Sequence, residues 1–291
     1  MFQQITILGP GLLGASLAMA IKKRIPTARV VIWARKPESR EICRNKEWCD
    51  IVAESPEEAV DGSDLTLLCT PVHSILPLLE QIQPALKEGS TVSDVGSTKV
   101  QICHGAQRVF RNTSATFLGS HPMAGSELTG MENARADLFE DAACILTPLP
   151  DTTDTTIQTL GTFWKSLQMH VTTVPPETHD AIVAHISHLP HVLASVLCNY
   201  LSRKDNFWQT LGGGGLRDTT RIAAGDPELW KQIIEQNRDE ILQAITGFEK
   251  ELNALKTALT RNDSTGILSL LRQGKTYRDQ LVEHRTLNAE L

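Results

Sequence analysis

Short apolar runs alternate with longer segments of helical periodicity through the first part of the chain. The runs occupy residues 5–8, 30–33, 65–69, 91–95, 116–118, 143–146 and 170–174. Strands that are buried on both faces of a parallel sheet have such continuous runs of Val, Ile and Leu, and helices connect them. The pattern therefore predicts an α/β fold with a doubly wound parallel sheet of the Rossmann type.

The pattern changes after Pro175 and Pro176, where apolar positions begin to recur every three or four residues. Residues 180–201, 227–259 and 266–290 have this helical periodicity. We therefore predict a Rossmann dinucleotide-binding domain at 1–174 and a helical domain at 175–291. The apolar helix faces could pack internally or against a second subunit, and the periodicity fits both arrangements.

Composition narrows the class of protein. The net charge of −6 and the lack of a Lys/Arg-rich run weigh against binding to nucleic acid. We find no apolar run of the roughly 20 residues that span a bilayer, and no signal-peptide pattern, so we expect a cytoplasmic protein that does not bind membranes. The six cysteines form no CxxC pair, which argues against a disulfide framework or a zinc knuckle.

A glycine motif follows the first apolar run. Gly9, Gly11 and Gly14 have the GxGxxG spacing, with Leu12 and Leu13 between the last two, and a helical segment comes next. Glycine at these positions permits a tight turn, a close approach of the backbone to a pyrophosphate, and close packing of helix on strand. Strand, motif and helix in this order predict a dinucleotide site, whereas the alternative is a glycine-rich turn without function.

The end of the second predicted strand bears on which dinucleotide binds. NAD sites usually carry Asp or Glu there to bind the ribose hydroxyls. This chain has Ala34, followed by Arg35 and Lys36, and these two cations suit the 2′-phosphate of NADP. We expect NADP as the preferred cofactor, with NAD possible. The alternative is that both cations are solvated in a surface loop.

Polar residues follow three of the predicted strands, where ligands of open α/β sheets bind. Thr70 and Pro71 follow the third run, residues 94–99 follow the fourth, and residues 121–127 follow the fifth. Histidine has a pKa near 6.5 that suits a general base, so His121 is our candidate base. Ser97 could orient the His121 imidazole or the nicotinamide amide, and it could also be the N-cap of a helix that begins near Thr98.

The second predicted domain contains two further polar segments. Four histidines lie between His179 and His191, but Asp180 is the acidic residue near them and the spacing fits no zinc template, so we expect no metal. Arg221 follows a glycine run at 212–215 and could lie in the first turn of a helix. It could bind a carboxylate in bidentate fashion, or it could form a salt bridge between the domains.

Taken together, these motifs resemble the family of prephenate and arogenate dehydrogenases of tyrosine biosynthesis, and the resemblance covers nearly the whole chain. It rests on Gly9–Gly14, Thr70-Pro71-Val72, residues 94–99, the HPMAGSE segment at 121–127, His179-Asp180, the SHLPH segment at 187–191 and residues 213–223. HPMAGSE and SHLPH are far more specific than the glycine motif. Many relatives that use NAD carry an acidic residue where this chain has Ala34.

The resemblance implies roles for individual residues. It makes His121 the catalytic histidine, Ser97 a serine that supports it, and Arg221 the arginine that holds a substrate carboxylate. It places Glu127, His179, His188 and His191 near the substrate pocket. It also implies that the helical domain binds substrate and forms a homodimer.

The activity that the resemblance implies is oxidative decarboxylation of prephenate to 4-hydroxyphenylpyruvate, with hydride transfer to NAD(P). Arogenate, or both substrates, is the alternative, and Glu127 could pair with the arogenate ammonium. A β-hydroxyacid dehydrogenase is a more distant alternative, but the lysine motif on which those enzymes rely is missing. A non-catalytic NADP-sensing protein would not need His121, Ser97 and Arg221 together.

Overall fold

The structure, a computed structural model, describes residues 2–288. Its main sheet contains six parallel strands in the order β3-β2-β1-β4-β5-β6. The strands are β1 (Gln4–Leu8), β2 (Arg29–Trp33), β3 (Ile51–Val52), β4 (Leu65–Leu68), β5 (Thr91–Asp94) and β6 (Thr116–Phe117). The reversal of strand order beside β1 is typical of a doubly wound sheet and confirms the predicted fold class.

Five helices connect these strands. They are α1 (Leu12–Arg24), α2 (Pro37–Arg44), α3 (Pro56–Val60), α4 (Val72–Ile82) and α5 (Val100–Phe110). The apolar side chains of β1 and β4 are fully buried, which is why these strands have continuous rather than alternating apolar patterns. The carboxyl ends of β1, β2, β4 and β5 therefore lie at one edge, where the glycine motif and residues 94–99 follow them.

A second, three-stranded sheet follows the first. It contains β7 (Gly119–Pro122), β8 (Ala143–Thr147) and β9 (His170–Thr173), with β7 antiparallel to β8 and β8 parallel to β9. Helix α6 (Asp154–Ser166) connects β8 to β9. The last two predicted strands therefore lie outside the doubly wound sheet, and β3 and β7 were not predicted.

The chain from Pro176 onward is helical in the part that the structure describes. Helix α7 (Pro176–Val183) continues through a π-helical turn, Ala184–His188, into α8 (Leu189–Leu201). Pro190 has no N–H to donate to the carbonyl of Ile186, and the N–H of Leu189 instead reaches back five residues to the carbonyl of Ala184. This turn therefore contains one residue more than a regular α-helical turn.

The remaining helices are α9 (Phe207–Thr210), α10 (Gly214–Thr220), α11 (Pro227–Gln236), α12 (Arg238–Thr260) and α13 (Ser264–Asn288). The predicted helix at 227–259 is thus two helices, interrupted at the buried Asn237. The predicted end of the last helix at Glu290 lies outside the described residues. Arg221 opens a 3₁₀ turn after α10, so the expectation that it lies in the first turn of a helix was wrong.

Two compact units make up the chain, Met1–Arg238 and Asp239–Leu291. The first contains both sheets and α1 to α11. In the second, Asn262 adopts a positive φ of 52° after α12, and the Asp263 carboxylate accepts a hydrogen bond from the N–H of Gly266 at 2.9 Å in the first turn of α13. These two residues define the sharp turn between the last two helices.

The continuous helix Pro176–Leu201 is, by length and composition, apolar enough to cross a membrane, with a mean hydropathy of 1.6 over its most apolar window. This corrects the expectation that no such segment exists. One such helix is weak evidence for a membrane protein, because core helices pass the same test. Here the helix carries His179, Asp180 and His188, whose side chains are buried and hydrogen-bonded.

Candidate active site

The glycine motif forms a tight turn between β1 and α1, and we call Gly9–Gly14 the nucleotide loop. Gly9 has a φ of 102°, which favours glycine. A Cβ on Gly14 would lie 2.2 Å from the carbonyl oxygen of Gly9, so helix and turn could not approach as they do. A Cβ on Gly11 would meet no protein atom within 4 Å. Gly11 therefore borders open space beside the N-terminus of α1, where a phosphate would be favoured.

A cavity of about 660 Å³ adjoins the nucleotide loop. Arg35, Lys36 and Ser39 line one part of it, and Thr70 and Pro71 line another. Arg35 and Lys36 are exposed, and the chain bearing them is held by the Arg40 guanidinium, which donates to the carbonyl of Ala34 at 2.8 Å. The cations predicted to bind a 2′-phosphate and the glycines predicted to bind a pyrophosphate therefore border one cavity.

Two buried polar atoms in this cavity wall are available for hydrogen bonds to a nucleotide. The indole Nε1 of Trp33 and the hydroxyl Oγ1 of Thr70 have no hydrogen-bond partner among the described residues. A buried polar group without a partner costs about 1–3 kcal/mol, so such atoms usually meet a ligand or water. Together with the open space beside Gly11, they show that the residues present fit a dinucleotide.

The loop after β7 supplies part of the same cavity. Gly130, Met131 and Glu132 line it, although they lie far along the chain from β1, β2 and β4. The N–H of Arg135 donates to Ser16 of α1 at 3.0 Å, which anchors this loop beside the nucleotide loop. These residues were not predicted, because no local sequence pattern marks a loop that reaches a cavity through tertiary packing.

His121 lies in β7 and is buried, with 7% of its surface exposed. Its Nδ1 is 2.8 Å from Nε2 of His179, in α7. Its Nε2 has no hydrogen-bond partner among residues 2–288. Burial holds the pKa of His121 well below its ordinary value of 6.5, and the neighbouring His179 and Lys99 lower it further. His121 is therefore neutral at pH 7 and has one ring nitrogen available to a substrate.

Asp180 connects His179 to the main sheet. Its Oδ1 accepts from the N–H of Lys99 at 2.7 Å and is 2.8 Å from Nδ1 of His179, while its Oδ2 accepts from the N–H of Val100 at 3.0 Å. The carboxylate thus satisfies the first N–H groups of α5 from a distant helix. Helix α5 begins at Val100 with Lys99 as its N-cap residue, so the alternative that Ser97 caps a helix near Thr98 was wrong.

Lys99 is itself fully buried and pairs with Asp94 at the end of β5. The Asp94 Oδ2 also accepts from the N–H of Gly96 at 2.8 Å. A buried pair of this kind is costly to break, because the remaining charge would have no partner. It fixes residues 94–99 beside His121 and places a cation near that histidine.

Ser97 lies between β5 and α5, and its main chain is close enough to His188 to raise the pKa of that ring slightly. Burial has the larger effect and lowers the pKa of His188 to about 4. Within residues 2–288 the Ser97 hydroxyl makes no hydrogen bond, and the orienting partner of His121 Nδ1 is His179 rather than Ser97. Contact of Ser97 with a nicotinamide stays a prediction.

His188 and His191 complete a group of four buried histidines, His121, His179, His188 and His191, which we call the histidine cluster. The His188 Nδ1 is 3.1 Å from the Asn237 amide nitrogen. The His188 Nε2 and the His191 Nδ1 are buried without a hydrogen-bond partner in the described part of the chain. These two atoms could bind polar groups of a substrate.

Trp230 of α11 packs on the histidine cluster and was not predicted. Its ring stacks on His191 with 3.5 Å between centroids and 9° between planes, and it meets His188 edge-on at 6.0 Å. Burial lowers the pKa of His191, while the Ile222 main chain raises it. A tryptophan on an amphipathic helix is usually a packing residue, so the sequence gives no signal for this position.

Arg221 and Glu127, both predicted site residues, form an ion pair with 2.8 Å between Nη1 and Oε2. The Arg221 side chain is 60% exposed, so the pair adds little stability. The contact shows that the guanidinium can hold a carboxylate at the position of Glu127. Among the described residues, His, Cys, Asp and Glu side chains form no group of three or more that could hold a metal.

Two family profiles match the chain. That of the prephenate dehydrogenase nucleotide-binding domain matches residues 17–173, and that of the prephenate dehydrogenase dimerization domain matches residues 175–273. The two matches together extend over most of the chain, and they meet shortly before α7.

Relatives of known name and structure match over almost the full length of this chain. A prephenate dehydrogenase of Bacillus subtilis is 32% identical over 281 residues, which are 95% of this chain and 76% of the relative. A cyclohexadienyl dehydrogenase of Zymomonas mobilis is also 32% identical, over 95% of both chains. The crystal structure of prephenate dehydrogenase from A. aeolicus, in complex with hydroxyphenyl propionate and NAD+, has a TM-score of 0.90 and 28% identity, covering 97% of this chain and 99% of that one.

Proposed function

The chain belongs to the prephenate dehydrogenase family, and from that premise we propose that it oxidises and decarboxylates prephenate to 4-hydroxyphenylpyruvate. The observation that carries the proposal is the buried His121, neutral at pH 7 and with Nε2 free of protein partners, in the same unit as a cavity that fits a dinucleotide. Prephenate is favoured over arogenate because two relatives at 32% identity are named for it. The cyclohexadienyl dehydrogenase at the same identity makes arogenate the second candidate.

The reaction requires the protein chiefly to align the substrate with the cofactor and to provide a base. The substrate is a cyclohexadienol with a ring carboxylate opposite its hydroxyl. Nε2 of His121 accepts the hydroxyl proton as the carbinol carbon loses hydride, and a carbonyl forms opposite the carboxylate. Loss of carbon dioxide then makes the ring aromatic, so the protein does not need to stabilise a late carbanion strongly.

The nucleotide loop and the cavity walls would hold NAD(P). Gly9, Gly11, Leu12, Leu13 and Gly14 provide the turn and the helix N-terminus for the pyrophosphate. The nicotinamide ring supplies the hydride acceptor when it is bound. Thr70 and Pro71 border the cavity beyond the turn, and the unpartnered Thr70 hydroxyl is free to bind a polar group of the cofactor.

We further propose that the protein prefers NADP to NAD. It rests on Arg35 and Lys36, which are exposed at the cavity wall beside the buried Ala34, where no carboxylate is available for the ribose hydroxyls. Replacing Arg35 by Ala should raise the KM for NADP about tenfold and change that for NAD far less, since about 1.4 kcal/mol of phosphate binding is lost. Steady-state kinetics with each cofactor checks this. Equal effects on the two cofactors would contradict it.

We propose that Arg221, His188 and His191 bind the substrate. The Arg221 guanidinium would hold a substrate carboxylate in the place where it holds Glu127. The unpartnered nitrogens of His188 and His191 would bind other polar groups of the substrate, with Trp230 forming an apolar wall. Ser97 stays a candidate for contact with the nicotinamide.

We also propose that the protein is a cytoplasmic homodimer, with the domain division at residue 174. The matching dimerization-domain profile supports the homodimer. In the first unit, α8 and α9 expose Tyr200, Phe207 and Trp208, and in the second, α13 exposes Leu271 and Tyr277. Apolar faces of this kind are typical of subunit interfaces.

A two-by-two assay tests the proposed function. Purified protein is given prephenate or arogenate over a range of concentrations, each with NADP or NAD, and nicotinamide reduction is followed by absorbance. The expected result is the highest kcat/KM for prephenate with NADP. Absence of reduction in all four combinations would overturn the proposed function. A higher kcat/KM for arogenate would show that arogenate, and not prephenate, is the preferred substrate.

A further inference from the structure

The contacts of His179 determine which of its ring nitrogens carries the proton. An ionised carboxylate is only an acceptor, so the 2.8 Å contact between Asp180 and His179 requires a proton on Nδ1 of His179. Burial lowers the pKa of His179, and the ring is therefore neutral at pH 7 with an unprotonated Nε2. That nitrogen can therefore only accept a hydrogen bond.

The unprotonated Nε2 of His179 in turn fixes the position of the proton on His121. Nδ1 of His121 is 2.8 Å from the Nε2 of His179, so His121 must donate from Nδ1. A neutral His121 then has its lone pair on Nε2, the nitrogen without a partner among the described residues. Free histidine in water has no such constraint, and either nitrogen can carry the proton.

The carboxylate of Asp180, which ends this series of hydrogen bonds, is held firmly. The N–H groups of Lys99 and Val100 hold it at the start of α5, and the Asp180 carbonyl accepts from the Asn237 amide at 2.8 Å. Asp180 and His179 are 2% and 0% exposed. Their positions therefore depend on packing between α7 and the main sheet, not on solvent.

We propose that His179 and Asp180 are positioning residues for the reaction, which hold His121 in the tautomer that leaves Nε2 free and stabilise the imidazolium that forms there. The inference rests on the proposed function. Without this pair, His121 could carry its proton on Nε2 and would then be unable to accept the substrate proton. As the substrate O–H bond breaks, a new N–H bond forms at Nε2, and the positive charge faces Asp180 through His179.

Several ionisable groups surround His121, and each affects its proton affinity. They are His179 on α7, Lys99 before α5, His188 between α7 and α8, and, through these, Asp180 and Asp94. Asp180 is the carboxylate that reaches His121 through another imidazole. Removing its charge should therefore make both rings harder to protonate, in the same direction as the burial that already lowers their pKa values.

The first test is Asp180→Asn, with Asp226→Asn as the matched control. Asp226 is an exposed N-cap of α11 that accepts from Glu228 and makes no contact with the histidine cluster. Asp180→Asn should lower kcat with prephenate about 10- to 100-fold and move the acid limb of the pH profile of kcat/KM to lower pH. Asp226→Asn should leave both unchanged. An unmoved acid limb in Asp180→Asn would mean that Asp180 only caps α5.

The second test needs no activity, and Asp180→Asn is not required for it. Nitrogen-15 NMR of histidine-labelled wild-type protein at pH 7.5, assigned with His121→Gln, should show both His121 and His179 protonated at Nδ1 and not at Nε2. A proton on Nε2 of His121 would overturn the inference. Because the spectrum requires no substrate, this outcome is distinguishable from a failure of the proposed function, which would appear as wild-type protein that reduces neither cofactor.

Discussion

The nucleotide loop and the histidine cluster belong to the same unit but are built in opposite ways. Six consecutive residues form the loop, and its essential contacts are between backbone atoms, such as the N–H of Gly9 and the carbonyl of Trp33 at 2.9 Å. The cluster combines β7, α7, the π-helical turn and α8, and His121 and His179 lie 58 residues apart in the chain. The geometry of the loop depends on backbone contacts within the Rossmann sheet, whereas the chemistry depends on correct packing of helix side chains on that sheet.

This difference predicts that the two regions can be damaged separately. Substitutions in the cluster should reduce turnover or alter substrate binding while the cofactor still binds. Substitutions in the loop should affect the cofactor or the stability of the Rossmann sheet without changing the proton chemistry.

The largest effect should come from His121→Asn. Removing the base should lower kcat by about 100-fold or more, because general bases contribute about 10²- to 10⁴-fold. NADP binding, measured by fluorescence titration, should be unchanged. If turnover is retained, His121 is not the base, and if NADP binding is lost with it, the two regions are not separable.

Arg221→Ala should have the next largest effect, on substrate binding. Loss of charge-assisted hydrogen bonds to a carboxylate should raise the KM for prephenate about 10- to 100-fold with a smaller change in kcat. Arg203→Ala, at another exposed arginine, is the matched control. Normal saturation by prephenate in Arg221→Ala would show that the arginine only pairs with Glu127.

The cluster should also make stability depend on pH. The pKa of His188 is about 4 when folded against 6.5 ordinarily, so the unfolded chain binds the proton more readily and stability falls as pH falls from 6.5 towards 4. His188 alone should remove about 2 kcal/mol between pH 7.5 and pH 5. Urea unfolding at both pH values checks this. His188→Gln should flatten the dependence, and the surface variant His170→Gln is the control.

The smallest effects should separate two glycines of the nucleotide loop. Gly14→Ala brings its Cβ against the Gly9 carbonyl, so it should cost about 1–3 kcal/mol of stability. Gly11→Ala meets no protein atom, so its Tm should stay constant while NADP affinity falls roughly tenfold. Thermal unfolding and NADP titration distinguish them. A similar loss of Tm in both would mean that Gly11 also serves packing.

The sequence predicts best what is local. The fold class and the nucleotide loop follow from consecutive residues, because apolar runs and glycine spacing act within a few residues. Strand β7 was missed since its residues, Gly-Ser-His-Pro, have low strand propensity and are held by pairing with β8. The break at Asn237 was missed because its side chain bonds to Asp180 and His188, far away in the chain.

The histidine cluster shows the same limit. His121 and His179 were both singled out, one as the base and one near the pocket, yet nothing local indicates that their rings touch. The hydrogen bonds that link His121 to Asp180 through His179 depend on the packing of α7 beside the start of α5. Trp230 and the residues 130–132 at the cavity also reach their sites through tertiary contacts alone.

The most direct test of the central claim is the stoichiometry of one reaction. Wild-type protein is mixed with prephenate and excess NADP, and NADPH, carbon dioxide and 4-hydroxyphenylpyruvate are quantified, with His121→Asn as the background. We predict equal amounts of all three, formed at a rate that the variant does not approach. Prephenate that persists with both NADP and NAD, or that disappears without reduction of the cofactor, would contradict the account.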